Sequence, residues 1–126
     1  MTLLLIDDDL DILQMTGRRL KRKNFNVLTY SELGEAEKGF LESQSPPIGI
    51  ICDLFLKDGE NGMDFYDTIR NKHDWKGPFI LSTGDDQADA RIIQYNTSDP
   101  YFKCLQKPFP INEIIDFIDN YSKKAS

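Results

Sequence analysis

A doubly wound α/β fold, with five parallel strands alternating with five helices, is what this 126-residue sequence predicts. Three observations carry that reading. Apolar runs of four or five residues with no polar alternation have the pattern of strands buried on both faces. Segments of helical period separate these runs. Reactive side chains close the runs, at the edge where ligands bind in open α/β sheets. Strict βα alternation with helix-length crossovers then gives one parallel sheet with helices on both faces, because right-handed crossovers cannot otherwise return each strand to the sheet.

The elements follow in order along the chain. Leu3-Leu4-Leu5-Ile6 is the first strand and runs into Asp7-Asp8-Asp9. Leu10, Leu13, Gly17 and Leu20 line one face of the first helix. Asp9 and Asp11 at its start and Arg18, Arg19, Lys21, Arg22 and Lys23 at its end complement the helix dipole, a simpler reading of the basic run than a docking patch. Asn26 to Tyr30 is the second strand, and Leu33, Ala36, Phe40 and Leu41 mark the second helix. Ser43-Gln44-Ser45-Pro46-Pro47 is a tight entry to the third strand, Ile48-Gly49-Ile50-Ile51-Cys52, which ends in Asp53. Met63, Tyr66 and Ile69 give the third helix, and Phe79-Ile80-Leu81-Ser82 the fourth strand, ending in Thr83. Ala88, Ile92 and Tyr95 place the fourth helix. Phe102-Lys103-Cys104-Leu105-Gln106 then delivers Lys107-Pro108. Ile111, Ile114, Ile115, Ile118 and Tyr121 keep strict helical spacing behind Pro110, which suits a first helical turn.

No linker, repeat or low-complexity segment divides the chain, so residues 1–126 are expected to form one domain. Fifteen Lys and Arg against twenty-one Asp and Glu leave a net charge of −6. That balance argues against direct binding to nucleic acid or an anionic membrane. No apolar stretch approaches the length of a membrane span and no signal-peptide pattern opens the chain, so a cytoplasmic location is expected. Cys52 and Cys104 have neither metal-ligand spacing nor a disulfide framework. His73, the only histidine, lies in a polar segment and reads as a solvated side chain, which removes the base of a Ser-His-Asp or Cys-His mechanism. Trp75 is expected on the loop at the far end of the strands.

Asp7, Asp8, Asp53, Thr83 and Lys107 all fall at one sheet edge. Crowded carboxylates repel, and a divalent cation relieves this. Few hard oxygen ligands with room for water favour Mg²⁺, with Mn²⁺ the alternative. Asp9 is read as a helix cap. Asp53 closes a fully apolar strand and has the placement of a carboxylate that attacks phosphorus, while Thr83 offers a hydroxyl and Lys107 a cation for phosphoryl oxygens.

The apolar strand into Asp7-Asp8, the lone Asp53, Gly62, Pro78 before a strand ending in Thr83-Gly84, and Lys107-Pro108-Phe109 occur together in this order. In these motifs the whole chain resembles the receiver domain of a two-component response regulator. The resemblance implies a (βα)5 flavodoxin-like sandwich with strand order 2-1-3-4-5. It further implies that Asp53 accepts phosphate from a histidine kinase or histidine phosphotransfer protein. Asp8, Asp53 and the backbone carbonyl of Phe55 would bind Mg²⁺ directly, and Asp7 mainly through water. Thr83 and Lys107 would bind the phosphoryl group and switch the face formed by the fourth helix, fifth strand and fifth helix. The Lys107-Pro108 bond is expected to be cis. A downstream effector protein, a fused output domain and a phosphorylation-dependent homodimer are the partners implied beyond the phosphodonor. The chain is expected to be either a free-standing regulator or the N-terminal receiver of a longer protein.

Three departures from that pattern matter. Cys104 stands where an aromatic switch residue is usual, with Phe102, two residues earlier, read as either a partial substitute or a core residue. Lys57-Asp58-Gly59-Glu60-Asn61 makes the loop after Asp53 one residue longer, and Lys57 replaces a common proline. Phe55 and Asp85 occupy the two positions that tune hydrolysis in that family; the bulk of Phe55 obstructs an attacking water whereas Asp85 could orient one, and a comparatively long-lived phosphoryl group is expected. Two alternatives follow. One is a receiver-like interaction module with switching impaired by Cys104. The other, an aspartyl-phosphate phosphohydrolase of the haloacid-dehalogenase type, lacks its second Asp, since Phe55 stands there.

Overall fold

The computed structural model describes residues 1–84 and 89–125. Five strands, β1 (Thr2–Ile6), β2 (Asn26–Tyr30), β3 (Gly49–Asp53), β4 (Phe79–Thr83) and β5 (Phe102–Gln106), form one parallel sheet in the order β2-β1-β3-β4-β5. The helices are α1 (Leu10–Lys21), α2 (Leu33–Glu42), α3 (Gly62–Asp67), α4 (Ala90–Ser98) and α5 (Ile111–Ala125). This is the predicted doubly wound arrangement, and its strand order reverses between β1 and β3.

Alternation along the strands sorts the core into two layers. Leu4, Ile6, Ile50, Cys52, Phe79, Leu81 and Phe102 pack with Ala36, Met63, Tyr66, Ile69 and Ile92 of α2, α3 and α4 and of the segment after α3. Leu3, Leu5, Ile51, Ile80 and Leu105 face the other way, onto Leu13 and Leu20 of α1 and Ile111, Ile114 and Ile118 of α5. All five residues of β3 and of β4 are buried, as the unbroken apolar runs require. Asp9 caps α1, accepting from the backbone N–H groups of Asp11 and Ile12 at 3.0 and 3.3 Å, and Arg18, Arg19 and Lys21 occupy its last turn.

Several expectations need correction. Leu10 is 63% exposed, because it opens α1 beyond the end of β1, where no strand lies beneath it. Leu41 is 58% exposed, since the buried stripe of α2 narrows to Ala36 with partly buried Leu33 and Phe40. Ala88 lies outside the described residues, and α4 begins at Ala90. The third helix continues after Asp67 as a π-helical turn, Thr68–Lys72. His73 is not solvated. Its Nε2 lies 2.7 Å from a Glu37 carboxylate oxygen, and its ring packs 5.6 Å from that of Phe40. Trp75 lies on the far loop as expected, yet it is buried and donates its indole N–H to the Pro47 carbonyl at 3.2 Å. Among the described residues, no helix is long and apolar enough to cross a membrane.

Candidate functional site

β1 and β3 are neighbours at the reversal of strand order, so their last residues project Asp7 and Asp53 at the same edge. Asp7 is 2% exposed and Asp53 9%. Asp8 is less buried, and one oxygen from each of the three carboxylates lies within 4.8 Å of the others. The Asp7 carboxylate accepts from the Asp9 backbone N–H at 2.9 Å. Lys107 reaches across from the end of β5, its ammonium 2.8 Å from Asp7 and 3.2 Å from Asp53.

Burial raises the Asp53 pKa, the charges of Asp7 and Asp8 raise it further, and Lys107 only partly offsets them, leaving it at about 6. Burial pulls Lys107 the other way, but its bond to Asp7 and the charge of Asp53 prevail, and its pKa is raised. The Cys52 thiol is pushed well up by burial and then by Asp53, consistent with a core residue rather than a nucleophile.

Thr83 ends β4, is 2% exposed, and its carbonyl accepts from the Lys107 backbone N–H at 2.9 Å. The Lys107-Pro108 peptide is cis. Thus four strand ends bring Asp7, Asp53, Thr83 and Lys107 together, with Asp8 following directly on β1. Phe55 stands two residues on, 55% exposed, its backbone bridged in antiparallel sense to Asn61. Asp85 lies outside the described residues. Cys104 is half-buried on β5, opposite Leu81. Phe102 pairs with Phe79 at the other end of β4, its ring 5.1 Å from that of Tyr66. It therefore lies about 13 Å, four residues of strand rise, from the level of Thr83 and belongs to the core.

The loop after Asp53 is held at several points that its composition did not announce. Lys57–Gly59 forms a 3₁₀ turn in which Asp58 and Gly59 take φ of 62° and 76°. The Glu60 side chain accepts from the Leu33 N–H at 3.2 Å and so caps α2 from outside. Asn61 caps α3 by accepting from Met63 N–H at 2.7 Å. Asn before Gly at the start of a helical segment was the available signal for that cap. A side chain on Gly62 would press into the carbonyl oxygen of Asp53 and lie 3.0 Å from Leu81, which explains glycine at this position.

The open α/β sheet thus carries three clustered carboxylates, a hydroxyl and a lysine at its switch point, side chains whose chemistry suits a hard cation and phosphoryl oxygens. The chain belongs to the response regulator receiver domain family, whose model matches residues 3–119. It is 25% identical over 114 residues to the photosynthetic apparatus regulatory protein RegA of Cereibacter sphaeroides, an alignment covering 90% of this chain and 58% of RegA. The chain thus spans little more than half of that relative's length. Among solved structures, a response regulator receiver domain protein from Clostridium thermocellum superposes with a TM-score of 0.82 at 25% identity, covering 98% of this chain and 95% of that one. The non-phosphorylated HemR receiver domain from Leptospira biflexa does so with 0.74 at 26% identity, covering 95% and 92%. Residues 3–119 are accordingly a receiver domain of the two-component type, a signalling domain.

Proposed function

We propose that this receiver domain takes a phosphoryl group onto Asp53 from a histidine kinase or histidine phosphotransfer protein in the cytoplasm, and signals through a changed surface rather than turning over a substrate. The observation that carries this reading is the setting of Asp53, a buried carboxylate at the end of a central strand, 3.2 Å from the Lys107 ammonium and clustered with Asp7 and Asp8. Asp7, Asp8 and Asp53 fit a hard divalent cation, because all donors are carboxylate oxygens and, beside burial, the charges of Asp7 and Asp8 push the Asp53 pKa up. Mg²⁺ or Mn²⁺ held there by those groups and the Phe55 carbonyl would neutralise charge on the phosphoryl oxygens.

An Asp53 carboxylate oxygen attacks phosphorus, the bond from phosphorus to the donor's imidazole nitrogen breaks, and that nitrogen leaves with its electron pair. Lys107 stays within reach of the transferred group, and Thr83 offers it a hydroxyl proton donor. The effector, whether separate or fused, and a homodimer of the phosphorylated form belong to the same proposal. Incubation with Mg²⁺ and acetyl phosphate, followed by intact-mass measurement, tests it. Wild type should gain one phosphoryl group and Asp53→Asn none; equal gain in both, or in neither, rejects the assignment.

A further inference from the structure

One amide side chain joins the starts of two helices beside the phosphoacceptor. Asn61 Oδ1 caps α3, while its Nδ2 donates to Asp89 Oδ2 at 3.4 Å. Asp89 is the N-cap of α4 and accepts from the Arg91 N–H at 2.9 Å. The Arg91 guanidinium then returns to α3. It grips Asp89 through two bonds, at 3.0 and 2.8 Å, and donates to Asp64 at 2.8 Å and Asp67 at 2.9 Å. The Tyr95 hydroxyl adds a bond to Asp67 at 3.1 Å. The first two turns of α4 are therefore fastened to α3 and to the residue that begins it.

At its other end this assembly rests on Asp53 itself. Gly62 N–H donates to the Leu54 carbonyl at 2.7 Å, and the absence of a Gly62 side chain leaves α3 seated directly against the Asp53 carbonyl. Phe55 and Asn61 are bridged. A shift of backbone at 53–55 is thus passed to Asn61 and α3 through direct hydrogen bonds and close packing, with no rotating side chain required.

We propose that phosphorylation is relayed to α4 through the loop at 53–62, Asn61 and the Arg91 clamp, rather than through the side chain at position 104. This rests on the phosphoacceptor reading above. The conformational element is the seat of α4 on α3, and the phosphoryl group biases it by moving the loop on which α3 begins.

Hydrogen exchange followed by mass spectrometry, with and without Mg²⁺ and acetyl phosphate, tests the relay in four proteins: wild type, Asn61→Asp, Asp64→Asn/Asp67→Asn and Cys104→Ala. Asn61→Asp keeps a capping oxygen for α3 but replaces the donor to Asp89 with a repelling carboxylate. Intact mass first establishes that each protein is phosphorylated. We expect exchange in α4 to change by about fivefold or more in wild type and Cys104→Ala, the low end of usual coupling energies, and by less than about twofold in the two clamp variants. An undiminished change in the clamp variants, its loss in Cys104→Ala, or no change in phosphorylated wild type overturns the relay. If wild type gains no phosphoryl mass, the phosphoacceptor reading fails first and the relay falls with it, an outcome distinct from the other three. Thermal melting of each variant separates lost coupling from lost folding.

Discussion

Asp53 is charged at neutral pH against the preference of its surroundings. Its folded pKa is about 6 against an ordinary value of 3.8, so between those values the folded state holds a proton that the unfolded chain has released. The fold therefore loses stability as pH rises through that window, and the loss is complete above about 6. With a chelator present at pH 7.5, Asp53→Asn should be more stable than wild type by roughly 1–3 kcal/mol, the difference fading below pH 4. Urea unfolding at both pH values measures this, and an unchanged midpoint at pH 7.5 would contradict it. Gly62→Ala should act in the opposite direction, costing about 1–3 kcal/mol as overpacking usually does, because the added methyl has backbone rather than a movable side chain to displace. Phe55 is expected to slow hydrolysis by hindering water. Replacing it by Asn should shorten the phosphoryl lifetime, by roughly tenfold if about 1.4 kcal/mol of barrier is removed. Decay of the phosphorylated protein, followed by mass, decides this, and a slower mutant would count against it.

At the scale of elements, charged side chains fasten helices that also pack on the core. Arg70, in the π-helical turn after α3, is nearly buried. It donates to Asp99 at 3.1 Å and to the carbonyls of Trp75 and Tyr101 at 3.0 and 3.1 Å, and lies over the rings of Tyr66 and Trp75. Tyr66 donates its hydroxyl to the same Asp99 carboxylate. Arg70→Met would take the paired cation from that carboxylate, leaving it the Tyr66 hydroxyl and the Tyr101 N–H, and would remove the Arg70 donors to two carbonyls, so it should cost about 3 kcal/mol in the unfolding free energy. Asp89 shows how such fastening depends on pH. Its bonds from Arg91 hold its pKa below 3.8, so its contribution is present above the ordinary carboxylate value and is lost as pH falls through the lowered folded value. Exchange protection of α4 should hold at pH 5 and fall in more acid solution, whereas Asp89→Asn should lack that dependence. None of these networks was legible in the sequence. Arg91 meets Asp64 and Asp67 across 27 and 24 residues, and His73 meets Glu37 across 36, so the pairs exist only once α2, α3 and α4 share a face of the sheet. Reading His73 as solvated followed from its polar neighbours in sequence, which are not its neighbours in space.

Across the whole molecule, what could be read from the chain was what depends on local pattern. The buried strands announced themselves because residues 3–6, 49–52 and 79–81 are apolar on both faces, and α5 because Ile111, Ile114 and Ile118 repeat at helical spacing. The site was legible for the same reason, since a reactive residue ending each run must lie at the carboxyl edge. Strand order came from family resemblance, because periodicity does not say which strands are neighbours. Leu10 and Leu41 misled because a helical stripe is buried only where a sheet lies beneath it.

Three carboxylates and one ammonium meet at the edge of the sheet, which leaves two uncancelled negative charges when all are ionised. One divalent ion cancels that deficit and one monovalent ion does not. Millimolar Mg²⁺ should therefore raise the melting temperature more than the same ionic strength of NaCl, and removing it with a chelator should reverse the gain. The bridging position of Lys107 gives this imbalance a logical meaning. With its single ammonium already shared between Asp7 and Asp53, the edge has no spare positive charge among these groups for an arriving dianion. On the proposed phosphoacceptor role, a phosphoryl group and a divalent cation are therefore expected to accumulate there together, making the domain a coincidence detector whose two inputs each strengthen the binding of the other.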